Sequence, residues 1–420
     1  MMLQRSKIAF KLNLVTYLQV WLVFIFITSF VVSNSIKGTT PAFIFAGLSI
    51  PVVLCLARKS RGHYVRLMAV ITGCFFLYQI VTQLALLIDP SVPYYNHLIL
   101  VSNESKLLFR SSILTQSIYF VISICLFVYV TLYYRKEHHD KFIAIGALLV
   151  VIFGYYIWLF YILTGENGDI ISNREFGDGN LNPGHFQTIN VGPVSLSRFV
   201  GLVGEPSMYV YSILPITVYF FYTGKYRMFI VLVSSLVLTF SGTLLIGVVM
   251  FAFALVVTSG TLKRSLLYIT VSIVLAWIVF SNEYASGIVD EILFAKLRQE
   301  SDSGEDRIKT IIDNLIFYSD LPILTKLLGM GFGFVRSPEF LTTLLVNNGF
   351  LGILLFTGLV FYPIYKLKGA DKRNKGLKYA LWLNYIILFT SVSEFSYPSL
   401  WLILGISYNQ IRAELLEMGN

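Results

Sequence analysis

Long apolar runs alternate with short polar segments along almost the whole chain. An α-helix needs about 20 apolar residues to cross the hydrocarbon of a bilayer, and fewer where neighbouring helices thin it. Only Ser241-Gly242-Thr243 separates two of the runs; one helix over both would be about 48 Å long, too long for a single crossing. The pattern predicts an all-α protein with about twelve membrane-spanning helices in one integral membrane domain, residues 1–420. The predicted spans cover residues 14–33, 41–57, 67–88, 113–134, 142–163, 206–222, 228–240, 244–259, 265–281, 343–365, 379–392 and 399–411.

The composition supports this class of protein. Hydrophobic residues make up 56% of the 420 residues, charged residues make up 13%, and the mean hydropathy is +0.72. Soluble domains average about 45–50% apolar and about 25% charged residues. A soluble enzyme is therefore excluded, as is a disordered chain, which combines low hydrophobicity with high net charge.

The distribution of charge predicts the orientation in the membrane. With the N-terminus in the cytoplasm, the segments predicted to face inward carry 21 of the 32 Lys and Arg residues but only 5 of the 23 Asp and Glu residues. Basic residues accumulate on the cytoplasmic side of membrane proteins. Both termini are therefore predicted to be cytoplasmic. The net charge of +9 is spread over seven segments, so it does not indicate nucleic-acid binding.

Two large loops, 164–205 and 282–342, are predicted to lie on the outer, extracytoplasmic side. The first is rich in Gly and Pro and ends in Glu205-Pro206. Pro206 suits the first turn of the following helix, and a carboxylate is favoured just before a helix N-terminus. If residues 198–205 are helical, Arg198 and Glu205 lie about two turns apart and share a face.

The second loop contains an amphipathic pattern. Ile308, Ile311, Ile312 and Leu315 recur at helical spacing, which predicts a helix over 306–316 in the outer interface. The Gly-x-Gly-x-Gly sequence that begins at Gly329 follows no buried strand. It therefore indicates a tight turn or a close backbone approach rather than a dinucleotide site.

Arginines in these loops suggest phosphate chemistry, because the guanidinium group binds phosphate through two parallel hydrogen bonds. Arg198 and Arg307 lie in the patterned segments, although each could also be an interfacial anchor. Neither outer histidine, His97 or His185, has a histidine or an acid at metal-ligand spacing, and no Asp-x-Asp pair occurs. A bound metal or cofactor is therefore not expected.

Two stretches of the chain resemble a known family. One is Arg198-x-x-Gly201-x-x-x-Glu205-Pro206-Ser207. The other runs from Asp306-Arg307 through the glycines near Gly329 to Asn347-Asn348-Gly349-Phe350-Leu351-Gly352. Both resemble regions of O-antigen polymerases of the Wzy type, whose superfamily also contains O-antigen ligases and capsule or exopolysaccharide polymerases.

The resemblance implies a multispan fold of the C-type glycosyltransferases in the bacterial inner membrane. It implies metal-independent transfer without a cofactor. The substrate would be undecaprenyl-pyrophosphate-linked oligosaccharide, and a membrane protein that regulates chain length could be a partner. Arg198 and Arg307, together with Arg336, would bind the pyrophosphate. Either Glu205 or Glu339 would be the general base, with His185 as a weaker candidate.

Two alternatives stay open: an O-antigen ligase and a flippase or transporter of lipid-linked oligosaccharide. The chain has Ser241-Gly242-Thr243 where ligases have a Ser-Arg-Gly turn. It has Ser337-Pro338-Glu339 where ligases have a histidine. A flippase would place charged residues in the middle of its spans, and the predicted spans contain almost none.

Overall fold

The computed structural model describes most of the chain as helix. The described residues are 13–33, 38–95, 97–104, 106–174, 187–191, 194–258, 261–264, 266–267, 269–270, 286–287, 302–369 and 371–418. Numbered in chain order, the named helices are α1 (Leu14–Phe24), α2 (Pro41–Leu56), α3 (Arg61–Ile88), α4 (Ser111–Tyr133), α5 (Lys136–Thr164), α6 (Pro206–Tyr222), α7 (Tyr226–Val237), α8 (Gly242–Thr258), α9 (Asp302–Asp320), α10 (Ile323–Leu328), α11 (Phe340–Lys366), α12 (Lys372–Thr390) and α13 (Pro398–Met418). Two strands, β1 (Thr188–Val191) and β2 (Val194–Ser197), form an antiparallel hairpin.

The helical class predicted from the apolar runs is confirmed. Among the described residues, four helices, α3, α4, α5 and α11, are long and apolar enough to cross a membrane. The predicted break around Ser241-Gly242-Thr243 is confirmed as well, because α7 ends at Val237 and α8 begins at Gly242. The predicted span 265–281 lies largely outside the described residues, and the number of twelve spans stays a prediction.

The first predicted span is longer than the helix that forms there. Helix α1 ends at Phe24, whereas the apolar run continues to residue 33. Beyond the helix, the amides of Thr28 and Ser29 donate to the carbonyl of Leu202, at 3.0 and 3.1 Å. These bonds satisfy backbone groups that would otherwise be unpaired in an apolar setting. The apolar run therefore continues as a non-helical segment that packs against the loop containing Leu202.

Helix α6 lies at the centre of the bundle. It packs against α7, α8 and α12, and almost all of its residues are buried. A helix that is apolar on every face is a core helix rather than an amphipathic one. Its 17 residues span about 25 Å. The helix thereby connects the predicted outer surface at Pro206 with the predicted inner surface at Tyr222.

A buried charged cluster closes the predicted inner end of the bundle. The carboxylate of Asp140 on α5 accepts hydrogen bonds from the phenols of Tyr134 and Tyr219. Its Oδ2 atom also lies 3.6 Å from Nζ of Lys225. The guanidinium of Arg373 on α12 donates to the phenol of Tyr219 at 3.3 Å. A buried carboxylate needs such partners to offset its loss of hydration, so these contacts tie α5, α6 and α12 together.

The segment 329–339 folds back between α3 and α11. Residues Gly329 and Gly349 have φ angles of +82° and +59°. A Cβ atom on Gly329 would lie 2.4 Å from the backbone of Asn347, and one on Gly349 would lie 2.5 Å from the backbone of Leu327. The predicted close backbone approach near the Gly-x-Gly-x-Gly sequence is thus confirmed, since only glycine fits both the angle and the space.

Side-chain amides satisfy the backbone of this buried segment. The side chain of Asn347 accepts from the amide of Val335 at 2.8 Å and donates to its carbonyl at 3.0 Å. The carbonyl oxygen of Gln79 on α3 accepts from the amide of Phe332 at 2.9 Å. Irregular backbone deep in a membrane protein requires such partners. The amides therefore fix the backbone of this segment at Phe332 and Val335.

The loop before α4, which is predicted to be outer, is built around a buried arginine. The guanidinium of Arg110 donates to the carbonyls of Ser102, Glu104 and Lys106. It also lies 5.0 Å from the centre of the Phe334 ring. Four contacts of this kind make Arg110 a structural anchor of the loop. The loop in turn pairs with the folded-back segment through an antiparallel bridge between Leu100 and Val335.

Candidate functional site

A cavity of about 420 Å³ opens where the predicted outer segments meet. Cavities of roughly 300–1,000 Å³ are typical of small-molecule sites. Its charged lining comes from four separate parts of the chain, and it consists of Glu205, Arg307, Arg336 and Glu394. Each of these residues belongs to a segment that the charge distribution predicts to be outer. We refer to this space as the arginine cavity.

Helix α9 brings Arg307 to the arginine cavity. The helix predicted over 306–316 is confirmed and extends from Asp302 to Asp320. Arg307 lies seven residues, about two turns, before the buried Asn314, so both side chains are on the same face of α9. Ile312 and Leu315 on the predicted apolar face are exposed at 48% and 44%. The helix therefore presents an exposed Arg307 to the cavity and leaves Ile312 and Leu315 exposed as well.

The second cavity arginine, Arg336, is positioned by the folded-back segment. Its backbone amide donates to the carbonyl of Ile99 at 2.9 Å, and its side chain is exposed. The neighbouring Val335 is fixed by Asn347. The contacts of Arg336 with Ile99 and of Val335 with Asn347 thus fix the backbone that carries this guanidinium group. Arg307 and Arg336 come from different elements but share one cavity.

The third predicted arginine, Arg198, is not among the residues that line the arginine cavity. Its side chain donates to the carbonyl of Thr239 at 3.1 Å and to the Gln187 side chain at 2.8 Å. Burial lowers the pKa of its guanidinium to about 10, the carboxylate of Glu205 opposes that decrease, and the charge of Arg307 adds to it. The side chain remains cationic at neutral pH. Its interaction with both of these residues places it within electrostatic range of the cavity.

The stretch between Arg198 and Glu205 is not helical, contrary to one expectation. Gly201 and Gly204 have positive φ angles of +55° and +107°, which a continuous right-handed helix does not contain. The amide of Phe199 donates to the carbonyl of Leu238 at 2.9 Å. Arg198 and Glu205 therefore approach each other through a glycine-containing loop and not along one helix face.

Glu205 and Glu339 both occupy the position just before a helix. The predicted place of Pro206 in the first turn of α6 is confirmed, and the Glu205 side chain makes no capping hydrogen bond to that helix. Its Oε2 atom accepts from the hydroxyl of Ser207 at 3.5 Å, and the residue lines the arginine cavity. Glu205 is therefore accessible to a bound molecule.

The carboxylate of Glu339 has a different environment. It is 5% exposed and caps α11 by accepting from the amide of Thr342 at 3.1 Å. The hydroxyls of Ser337 and Thr342 also donate to it. The Glu339 side chain therefore serves as the N-terminal cap of α11. The remaining candidate base, His185, lies outside the described residues.

Two features of the site were missed by the sequence analysis. The first is the β1–β2 hairpin before Arg198, although Thr188–Val191 and Val194–Ser197 flank a Gly-Pro pair that is typical of a turn. The second is Glu394. The sequence could have indicated it, because it is an acidic residue in the short loop between the last two predicted spans. Within the described ranges, no group of three or more His, Cys, Asp or Glu side chains has an arrangement that could hold a metal ion.

The arginine cavity combines two guanidinium groups with two carboxylates. Guanidinium groups bind the oxygens of a phosphate or diphosphate, and a carboxylate can accept a proton from a hydroxyl group. The site can therefore hold an anionic leaving group beside an alcohol. No family model matches this chain, and no curated protein or solved structure matches it.

Proposed function

We propose that this protein is a membrane glycosyltransferase that polymerises oligosaccharide repeat units linked to undecaprenyl pyrophosphate. The product would be O-antigen or a related surface polysaccharide. In this proposal the chain has about twelve spans and a fold of the C-type glycosyltransferases. It lies in the bacterial inner membrane with both termini in the cytoplasm, and the arginine cavity opens to the periplasm.

The observation that carries the proposal is the convergence of Arg307 and Arg336 on one cavity, with Arg198 in electrostatic range. Transfer outside the cytoplasm cannot draw on nucleotide sugars, so the energy must come from the lipid-linked pyrophosphate. As the bond between C1 of the donor sugar and the pyrophosphate breaks, negative charge develops on the departing phosphate. Cationic groups aimed at that charge lower the barrier, often by the largest single contribution.

The acceptor in this proposal is one repeat unit on its own lipid, and the growing chain is transferred onto it. A hydroxyl of the acceptor sugar attacks C1 of the donor and loses its proton to a carboxylate. The phosphate leaves with the bonding electron pair and stays between the arginines. No step requires energy from ATP.

The test uses cells of the source organism in which the gene is deleted and replaced by variants. Arg307→Ala and Arg336→Ala should reduce the rate of polymer formation on the order of 100–1,000-fold at equal protein level. Lys309→Ala is the matched control, because Lys309 is an exposed cation on the same helix that does not line the cavity. A full polymer ladder from both arginine variants would contradict the proposal.

The deletion strain separates the open alternatives. A missing polymerase leaves single repeat units on the final carrier, a missing ligase leaves none there, and a missing flippase leaves the unit inside the cell. Single units on the carrier are the result that we expect. Either of the other two patterns would contradict the polymerase assignment and would indicate a ligase or a flippase.

A further inference from the structure

The arginine cavity contains a carboxylate that is not one of the predicted bases. Glu394 lies in the loop between α12 and α13 and lines the same cavity as Arg307, Arg336 and Glu205. Its Oε1 atom accepts a hydrogen bond from the hydroxyl of Ser396. The side chain is half-buried, so it is held in place and still accessible from the cavity.

Apolar rings surround the loop that carries Glu394. The neighbouring Phe395 is 8% exposed. Its ring centre lies 4.9 Å from that of Phe332 and 6.2 Å from that of Phe340. Rings of this kind fix the loop against α11 and the folded-back segment, and they limit the water around the carboxylate. A proton acceptor with a defined position and little competing water suits general-base catalysis.

The charged and titratable groups that face Glu394 come from several elements. The phenols of Tyr119 on α4, Tyr211 on α6 and Tyr397 before α13 interact electrostatically with it. Arg174 is in range of Tyr119 and Tyr397. Three further charged residues, Glu205, Arg307 and Arg336, share the cavity with Glu394.

The other carboxylates at this end of the protein have different roles. Glu205 interacts with the buried charge of Arg198 and thereby helps to keep that guanidinium charged. Glu339 is buried as the cap of α11. Like Glu205, Glu394 accepts a hydrogen bond from a neutral serine hydroxyl. Of these three carboxylates, it is therefore the one best placed to receive a proton without giving up a capping bond or the countercharge of Arg198.

We propose that Glu394 is the general base of the transfer reaction, an inference that rests on the polymerase function proposed above. The acceptor hydroxyl oxygen forms a bond to C1 of the donor while the bond from C1 to the pyrophosphate oxygen breaks. The hydroxyl proton passes to the Glu394 carboxylate, and the electron pair leaves with the pyrophosphate beside Arg307 and Arg336. The proton returns to water after the product has moved on.

The experiment uses the full-length protein in lipid nanodiscs and repeat units on undecaprenyl pyrophosphate, extracted from cells that lack the protein. Release of undecaprenyl pyrophosphate and polymer length are measured from pH 5 to pH 9. Glu394→Gln should slow the release of undecaprenyl pyrophosphate and the growth of the polymer on the order of 100–10,000-fold. It should also remove the decrease in rate at low pH. Glu394→Asp should retain part of the activity. Glu166→Gln, which removes an exposed acid of the 164–205 loop, is the control and should behave as wild type.

Azide provides a readout that a structural defect would not give. Azide attacks C1 without having to lose a proton, so it should restore release of undecaprenyl pyrophosphate by Glu394→Gln and form a glycosyl azide. It should not restore release by Arg307→Ala, because that variant lacks a cation that stabilises the departing pyrophosphate. Thermal unfolding of each variant shows whether the protein is folded.

Three results would count against the inference. A folded Glu394→Gln protein with the wild-type rate and pH profile overturns it and leaves the polymerase function intact. Azide rescue of Glu205→Gln in place of Glu394→Gln assigns the base to Glu205 and also overturns it. Wild-type protein that releases no undecaprenyl pyrophosphate overturns the proposed function itself.

Discussion

Glu205 and Glu339 stand at equivalent positions before two helices, yet their carboxylates point to different surroundings. Glu205 lines the arginine cavity without capping α6, whereas Glu339 is buried and caps α11. The difference follows from the local sequence, because Ser337 and Thr342 supply hydroxyl donors to Glu339. Two residues with the same apparent role in the sequence thus have separate roles in the structure.

Substitution of these two residues should give opposite effects. Glu339→Ala should lower the free energy of unfolding by about 1–3 kcal/mol, since it removes a cap and leaves buried hydroxyls without an acceptor. Glu205→Gln should change it by less than about 0.5 kcal/mol but should reduce polymer formation, because Arg198 loses its countercharge. Thermal unfolding in detergent and the polymer ladder measure the two effects. A stable Glu339→Ala protein together with a fully active Glu205→Gln protein would contradict this division.

The folded-back segment should not tolerate a side chain at Gly329. An added Cβ would meet the backbone of Asn347, and the φ angle of +82° is strained for any other residue. Gly329→Ala should therefore destabilise the protein by about 2–4 kcal/mol. Gly358→Ala in α11 meets open space and should be neutral or stabilising by up to about 1 kcal/mol. Equal melting temperatures for the two variants would show that the segment is not packed as described.

The charged cluster around Asp140, at the predicted inner end of the bundle, should contribute to stability and not to catalysis. Asp140→Ala leaves Lys225 and two phenols without their acceptor, and removal of one partner of a buried pair costs about 3–5 kcal/mol. Glu137→Ala, which removes an exposed acid one turn earlier in α5, is the control. The activity per folded Asp140→Ala molecule should match wild type, because α6 separates the cluster from the cavity by about 25 Å. A catalytic defect in folded protein would contradict this separation.

The loop around Arg110 should become less stable in acid. Hydrogen bonds from the hydroxyls of Ser111 and Ser102 lower the pKa of Glu104 to about 2. A carboxylate with a lowered pKa stabilises the folded state above its ordinary pKa of about 4.5, and this contribution is lost as the pH falls towards 2. Glu104→Gln should therefore be less stable than wild type at pH 7, and the difference should shrink between about pH 4.5 and pH 2. Thermal unfolding across this range measures it, and a difference that does not vary with pH would contradict the assignment.

The helices of this protein could be predicted because their signals are local. The spacing of Ile308, Ile311 and Leu315 predicted α9, and Pro206 marked the start of α6. The end of α1 at Phe24 could not be predicted, since it depends on the distant carbonyl of Leu202, which binds the amides of Thr28 and Ser29.

The arginine cavity was only partly predictable for the same reason. Arg307 and Arg336 stood out by residue type and by the segments that contain them. Their position beside Glu394 depends on backbone contacts such as those of Asn347 with Val335 and of Arg336 with Ile99. Contacts between residues far apart in the chain have no signature in spacing. A single sequence therefore indicated the kind of chemistry but not the full set of groups in the cavity.

The most direct test of the account is the affinity of the purified protein for undecaprenyl pyrophosphate in nanodiscs. Each charge-assisted hydrogen-bonding group contributes about 1.5–3 kcal/mol, so Arg307→Ala and Arg336→Ala should each weaken binding by about 10- to 150-fold. Lys309→Ala should bind as wild type. Unchanged affinity in both arginine variants would contradict the claim that these guanidinium groups hold the pyrophosphate.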